Sequence, residues 1–193
     1  NPYSRLDSTD IVCPFIDTIP PNVTVKVPSI ADILGDKLTA FAPNTTGILY
    51  DKEKEMEIIK QLFDIESLFD QLSTTNGVKD TFIRCAEQEL NYRQLTEMNY
   101  ENVLDDIFKT AIIIGGRGSF DKETFLKLEN GIRRIKSHII NRNYIVEEAV
   151  VSASKAAYLS MLLKYRQDEI EKYHPKETLP ELEGVPLFKK MAK

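Results

Sequence analysis

Residues 27–47, VPSIADILGDKLTAFAPNTTG, followed closely by residues 57–69, EIIKQLFDIESLF, decide the fold. In the first stretch Ser29 is placed to cap a helix, Asp32 sits in its first turn where a carboxylate complements the helix N-terminus, and Ile30, Ile33, Leu34, Leu38 and Phe41 form an apolar stripe. Pro43 stops that helix, and PNTTGILYDK reads as a loop. The second stretch lies within a run, Glu53 to Leu72, that places Met56, Ile59, Leu62, Phe63, Leu68 and Phe69 at i, i+3, i+4 spacing, predicting a second amphipathic helix.

The same period continues downstream, predicting helices over Val78–Leu95, Tyr100–Ile114, Asp121–Ile140 and Ile145–Tyr173, the last with a break, before a tail containing prolines. Upstream the pattern changes. The runs IVCPFI (11–16) and VTVKV (23–27), punctuated by Pro14, Pro20, Pro21 and Pro28, read as two strands at a sheet edge. Because an isolated pair of strands is marginal in water, these are expected to belong to a sheet not fully present in the chain. The fold class is therefore α+β and predominantly helical, with short N-terminal strands followed by a helical bundle.

Composition narrows the function classes. The 193 residues are 42% hydrophobic and 28% charged, as in a globular protein able to bury a core without staples. A net charge of −5 excludes a protein that coats nucleic acid through bulk electrostatics. Cys13 and Cys85 have no second Cys or His at ligand spacing, so no zinc site or disulfide framework is indicated, and a reducing, cytoplasmic setting is expected. No apolar run approaches the roughly 20 residues needed to cross a bilayer, and no signal peptide opens the chain, so no membrane partner is expected. The chain starts at Asn1, without Met, in the polar stretch NPYSRLDSTD, as a fragment or processed product would.

Several local patterns invite chemistry. IIIGGRGSFDKE (112–123) has the apolar run, glycine turn and helix start of a phosphate loop, but Ser119 and Phe120 follow Gly118 where a P-loop needs Lys and a hydroxyl residue. Gly115 and Gly116 are better read as ending one helix, with Ser119 or Asp121 capping the next. Asp121 and Glu123 then serve as acids at the helix start. His138 and His174 are too far apart in sequence to suggest a triad or metal site. Arg133, Arg134, Lys136, His138 and Arg142 lie along one predicted helix, a solvated face or a surface facing phosphates or RNA. Lys37 sits mid-helix among apolar neighbours, either snorkelling at the edge of the core or aimed into a cleft as an anion ligand. Lys60 and Asp64 stand at i, i+4, the spacing of a surface ion pair.

The segment VPSIADILGDKLTAFAPNTTGI and the helix IIKQLFDI..LF, in this order and spacing, resemble the third and fourth motifs of the abortive-infection nucleotidyltransferase toxins of the AbiEii/AbiGii type, a branch of the polymerase-β-like superfamily. The resemblance covers residues 23–72 well and 73–175 only through their helical character. It implies that Lys37 contacts the phosphates of an NTP and that Asp64 completes the active site, positioning or deprotonating the acceptor. Residues 1–28 then belong to the nucleotidyltransferase sheet, residues 29–75 line the nucleotide cleft, and residues 76–193 form a C-terminal helical domain. Arg133, Arg134 and Arg142 become candidate acceptor contacts.

The family's Gly-Ser and Asp-x-Asp motif is missing from this sequence. The resemblance therefore implies the C-terminal part of a bacterial transferase that uses Mg²⁺ and an NTP when complete, with no metal site of its own and no activity alone. The whole protein would modify an acceptor such as the 3′ end of a tRNA, as the toxin of a type IV-like toxin–antitoxin or phage-defence system with an antitoxin partner. The competing expectation is a non-catalytic helical module that binds a partner protein, in which Lys37 and Asp64 are structural. A third is a phosphate-binding enzyme built on GGRGS.

Overall fold

The computed structural model describes residues 3, 5–13, 16–140 and 142–172. Helix α1 (Ile30–Ala40) begins where its sequence places the cap: the Ser29 hydroxyl accepts the Asp32 backbone N–H at 3.1 Å and donates to the Asp32 carboxylate at 2.7 Å. Asp32 also reaches beyond its own helix. Fully buried, it accepts the backbone N–H of Arg5 at 3.2 Å and the hydroxyl of Thr81.

The remaining helices are α2 (Glu55–Phe69), α3 (Val78–Tyr92), α4 (Tyr100–Gly115), α5 (Lys122–Ile135) and α6 (Val146–Lys164), with 3₁₀ turns at Tyr50–Lys52 and Lys136–His138. α1 packs on α3 and α2, α2 on α5 and α6, and α4 along α6. Their shared core includes Leu34, Leu38, Ile58, Leu62, Phe82, Leu104, Ile107, Leu128, Ile132 and Leu159. Two glycines let helix backbones approach each other closely. A Cβ at Gly35 would stand 2.6 Å from the Val78 carbonyl oxygen of α3, and one at Gly131 of α5 would stand 2.5 Å from the Glu55 carbonyl oxygen of α2. The molecule is thus α+β and predominantly helical.

Strands β1 (Leu6–Asp10) and β2 (Thr24–Pro28) pair antiparallel, with Leu6 opposite Pro28 and Asp10 opposite Thr24. Among the described residues this hairpin contributes nothing to the helical core, and Leu6, Ile11, Val12, Ile16, Ile19 and Val23 are exposed.

The first strand is not where the sequence places it. β1 occupies LDSTD, while IVCPFI contributes only an isolated bridge between Cys13 and Ile16; Pro14 and Phe15 lie outside the described residues. Proline, lacking an N–H, interrupts a ladder, and the polar character of LDSTD hides a strand with both faces largely in solvent. Helix ends are tighter than expected where the backbone turns left-handed: Glu53 precedes α2, Gln94 follows α3 and Arg166 follows α6, with φ of 53°, 59° and 56°. The part of the last predicted helix at Tyr173 lies outside the described residues.

One polar knot joins α2 to α6. The Glu66 carboxylate, nearly fully buried, accepts hydrogen bonds from Arg142 at 2.5 and 3.3 Å and from the Ser152 hydroxyl at 2.8 Å, with the Lys155 ammonium at 3.5 Å. The Arg142 guanidinium lies 4.8 Å from the centre of the Phe63 ring. Burial pulls the Glu66 carboxyl upward, but the bonds from Arg142 and Ser152 and the charge of Lys155 outweigh it and hold its pKa below the usual value.

Glu66→Ala is expected to cost about 2–3 kcal/mol at pH 7, because Arg142, Lys155 and Ser152 lose their shared buried acceptor and keep only their outer partners Glu148, Asp70 and the Glu148 carbonyl. A carboxyl whose folded pKa is depressed contributes above its unfolded pKa and loses that contribution as pH falls through the folded one, so the gap in Tm between wild type and variant should narrow towards about pH 3. Thermal unfolding at the two pH values checks this. Gly35→Ala should lower stability by about 1–3 kcal/mol, since α1 and α3 must move apart to admit the methyl group; urea denaturation would measure it.

Candidate functional site

α1 and α2 are joined by the loop that begins at Phe41, and the chain returns so that their polar sides meet. On α1, Lys37 and Ala40 lie one turn apart; on α2, Glu57, Gln61 and Asp64 share a side. The Lys37 ammonium sits 2.9 Å from a carboxylate oxygen of Asp64 and donates to the Gln61 side-chain oxygen at 3.2 Å. The two charged side chains are 29% and 30% exposed, so the pair is accessible without being fully solvated. The sequence suggests Lys60 as the partner of Asp64; the structure gives Lys37 instead, because Asp64 faces α1 while Lys60 is exposed.

A groove of about 860 Å³ opens between α1, the loop that follows it and the end of α3. Asp36, Thr39 and Ala40 of α1, loop residues 44–49, Lys52, Lys54, Glu57 of α2, and Glu89, Tyr92 and Arg93 at the end of α3 line it, together with Leu95. Ala40 and Glu57 line it, but Lys37, Gln61 and Asp64, about one turn away on the same helices, do not.

Two side chains hold the loop wall rigid. Asp106 of α4, buried, accepts the Asn44 backbone N–H at 2.8 Å, the Asn44 side-chain amide at 2.6 Å and the Thr45 hydroxyl at 2.9 Å. Arg93 donates to the Thr45 and Thr46 carbonyl oxygens at 3.1 and 2.5 Å. Asp36 also accepts the Tyr3 hydroxyl at 3.3 Å. Burial, reinforced by the Asp36 charge and a hydrogen bond to it, pushes the Cys85 thiol up to about 12, so it is protonated and not nucleophilic at neutral pH.

The basic residues expected along one helix are divided. Arg133 and Arg134 are exposed on α5, Arg133 paired with Glu129 at 3.2 Å, but α5 ends at Ile135. His138 closes the 3₁₀ turn, 3.0 Å from the Ser137 hydroxyl. Arg142 lies beyond it, committed to Glu66 at 2.5 Å and Glu148 at 3.5 Å. His174 lies outside the described residues.

At the glycine-rich turn, Gly116 caps the C-terminus of α4 and Asp121 caps α5, accepting the Thr124 backbone N–H at 3.0 Å. That bond, with the one from the Thr124 hydroxyl, holds the Asp121 carboxyl below its usual pKa. Gly118 has φ +78° and packs against Phe125, so the turn needs its glycines for backbone reasons.

Among the described residues no group of three or more His, Cys, Asp or Glu could hold a metal ion, so their donors do not fit the Mg²⁺ site of a nucleotidyltransferase. No described helix is long and apolar enough to cross a membrane. Compared with known proteins, the chain matches no family model, no curated protein and no solved structure.

Reading the sequence missed Gln61, Arg93 and Asp106. The one available signal was the loop PNTT, whose Asn and Thr side chains require partners once the loop lies against a core. Asp106→Ala should destabilise the protein by about 1–3 kcal/mol and specifically raise amide hydrogen exchange over residues 44–48, which mass spectrometry would detect.

Proposed function

We propose that this chain is the helical part of a nucleotidyltransferase that moves a nucleotide from an NTP to an acceptor such as the 3′ end of a tRNA, working in the bacterial cytoplasm as a toxin held in check by an antitoxin. One observation carries the reading. Lys37 and Asp64, which the motif resemblance singles out, come from separate helices and meet at 2.9 Å. Either residue alone has an ordinary structural explanation; that the two residues singled out by the motifs meet across α1 and α2 is what favours a shared site.

In this reading the ammonium of Lys37 binds phosphate oxygens as a point charge, and Asp64 holds the acceptor hydroxyl. Gln61 orients Lys37, while the loop clamped by Asp106 and Arg93 gives the groove a fixed wall. Mg²⁺ would be held by residues of the whole protein outside this chain, on a sheet that the exposed hairpin would join. Arg133 and Arg134 remain free of the core to meet a polyanionic acceptor.

A second reading, a module that binds a partner protein, draws support from the apolar side chains exposed between Leu6 and Val23, with Ile19 90% exposed. Transfer of radiolabelled NTP by the whole protein separates the two. Lys37→Ala and Asp64→Ala should each reduce transfer by about 10²-fold or more while leaving Tm within a few degrees of wild type. Full transfer by either variant contradicts the transferase reading.

A further inference from the structure

Helix α6 is apolar all round. Its charged residues do not interrupt the outward side: Glu147 and Glu148 stand at its start, Lys164 at its end, and Lys155 is committed to Glu66 and Asp70. A helix of this kind is normally covered on every side, yet Val151 and Tyr165 are 50% and 67% exposed. Between them a groove of about 210 Å³ opens between α6 and α4, its lining including Phe108 and Ile112 of α4 and Ser154, Ala157, Tyr158 and Met161 of α6. The two helices run antiparallel, and the Lys164–Asp105 and Arg117–Glu147 pairs bracket the groove. No charged side chain lines it. The Ser154 hydroxyl donates to the Val150 carbonyl oxygen at 2.9 Å, and the Tyr158 hydroxyl accepts the Glu171 backbone N–H at 3.1 Å. The groove is smaller than the roughly 300–1,000 Å³ of a small-molecule site and has no charge to orient a ligand, so it fits one or two apolar side chains of a peptide.

Tyr158 also marks where the chain goes next. The Ile170 N–H donates to the Ser73 carbonyl oxygen at 3.1 Å and the Glu171 N–H to Tyr158, which brings the end of the described chain, Lys172, beside a residue of the groove. In residues 173–193 the densest apolar stretch is VPLF, Val185 to Phe188, bounded by Glu183 and Lys189. We propose that Leu187 and Phe188 seat in the α4–α6 groove of their own chain and cover the outward side of α6. Residues 173–184, fully extended, reach about 40 Å, whereas the groove runs only about 12 Å along α6. Tethering adds to the fit, because a short connection holds the segment at an effective concentration on the order of millimolar. The proposal stands apart from the transferase reading, since it uses none of the residues of that site.

The chain contains no tryptophan, so Phe188→Trp in the full chain supplies a single fluorescent reporter. Its emission should lie to the blue of that of a free peptide of residues 173–193 carrying the same change, with an acrylamide quenching constant about threefold or more lower. Both effects should be independent of chain concentration. A charge placed in the groove, Ser154→Glu or Met161→Glu in the Phe188→Trp chain, should return the emission and quenching to those of the peptide, with circular dichroism identifying which of the two variants keeps its helices. Peptide-like emission in the Phe188→Trp chain overturns the proposal, as does protection that persists in a folded groove variant. Protection that grows with chain concentration also overturns it, and assigns the groove to a second copy of the chain.

Discussion

The carboxylate of Asp32 is the contact on which the arrangement of α1 depends. A buried charge is tolerated only when its oxygens are satisfied, and here they are satisfied by groups from three places in the chain. Ser29 starts α1, the Arg5 backbone leads into β1, and Thr81 belongs to α3. The bonds fix where α1 starts, how the hairpin meets it and which side of it faces α3. Gly35, one turn further on, then brings the α1 backbone against α3. With that side committed to α3, Lys37 is left on the side that faces α2, which is why it finds Asp64 and Gln61 instead of solvent.

Buried carboxylates are used in the same way elsewhere. Asp106 holds the loop after α1 against α4, and Glu66 holds α2 to the start of α6 and the segment before it. Each stands where a helix must be tied to a segment that offers little apolar surface. Among the described residues the segment that carries the hairpin is tied to α1 through Asp32 and the Tyr3–Asp36 bond, and its exposed apolar side chains make it the part of the described chain most dependent on a further surface.

Much of this was legible in the sequence because helical periodicity and capping are local. Ser29, Asp121 and Gly116 act at the ends they mark, and the six helices occur in the predicted order. The strand at LDSTD was not legible, since a strand with both faces in solvent carries no alternation to read. Nor was the division of the basic cluster, because Arg142 is drawn to Glu66 by a contact between residues distant in sequence. The contact between the two helices was half legible. The motifs pointed to Lys37 and Asp64, but spacing alone paired Asp64 with Lys60, since i, i+4 proximity is local and the return of the chain after α1 is not. Asp32 shows the same limit: it read as an acid of the first turn, and its burial and its bond to Thr81 are tertiary facts.

The central claim is that Lys37 and Asp64 are placed together for chemistry and not only to join two helices. Exchanging them, Lys37→Asp with Asp64→Lys, keeps an ion pair across α1 and α2 while reversing which helix carries the cation. The account predicts that the whole protein carrying both changes stays folded, with thermal unfolding near that of wild type, yet transfers radiolabelled NTP no better than background. Transfer recovered to the wild-type rate by the exchange would contradict the claim and leave the pair a structural link.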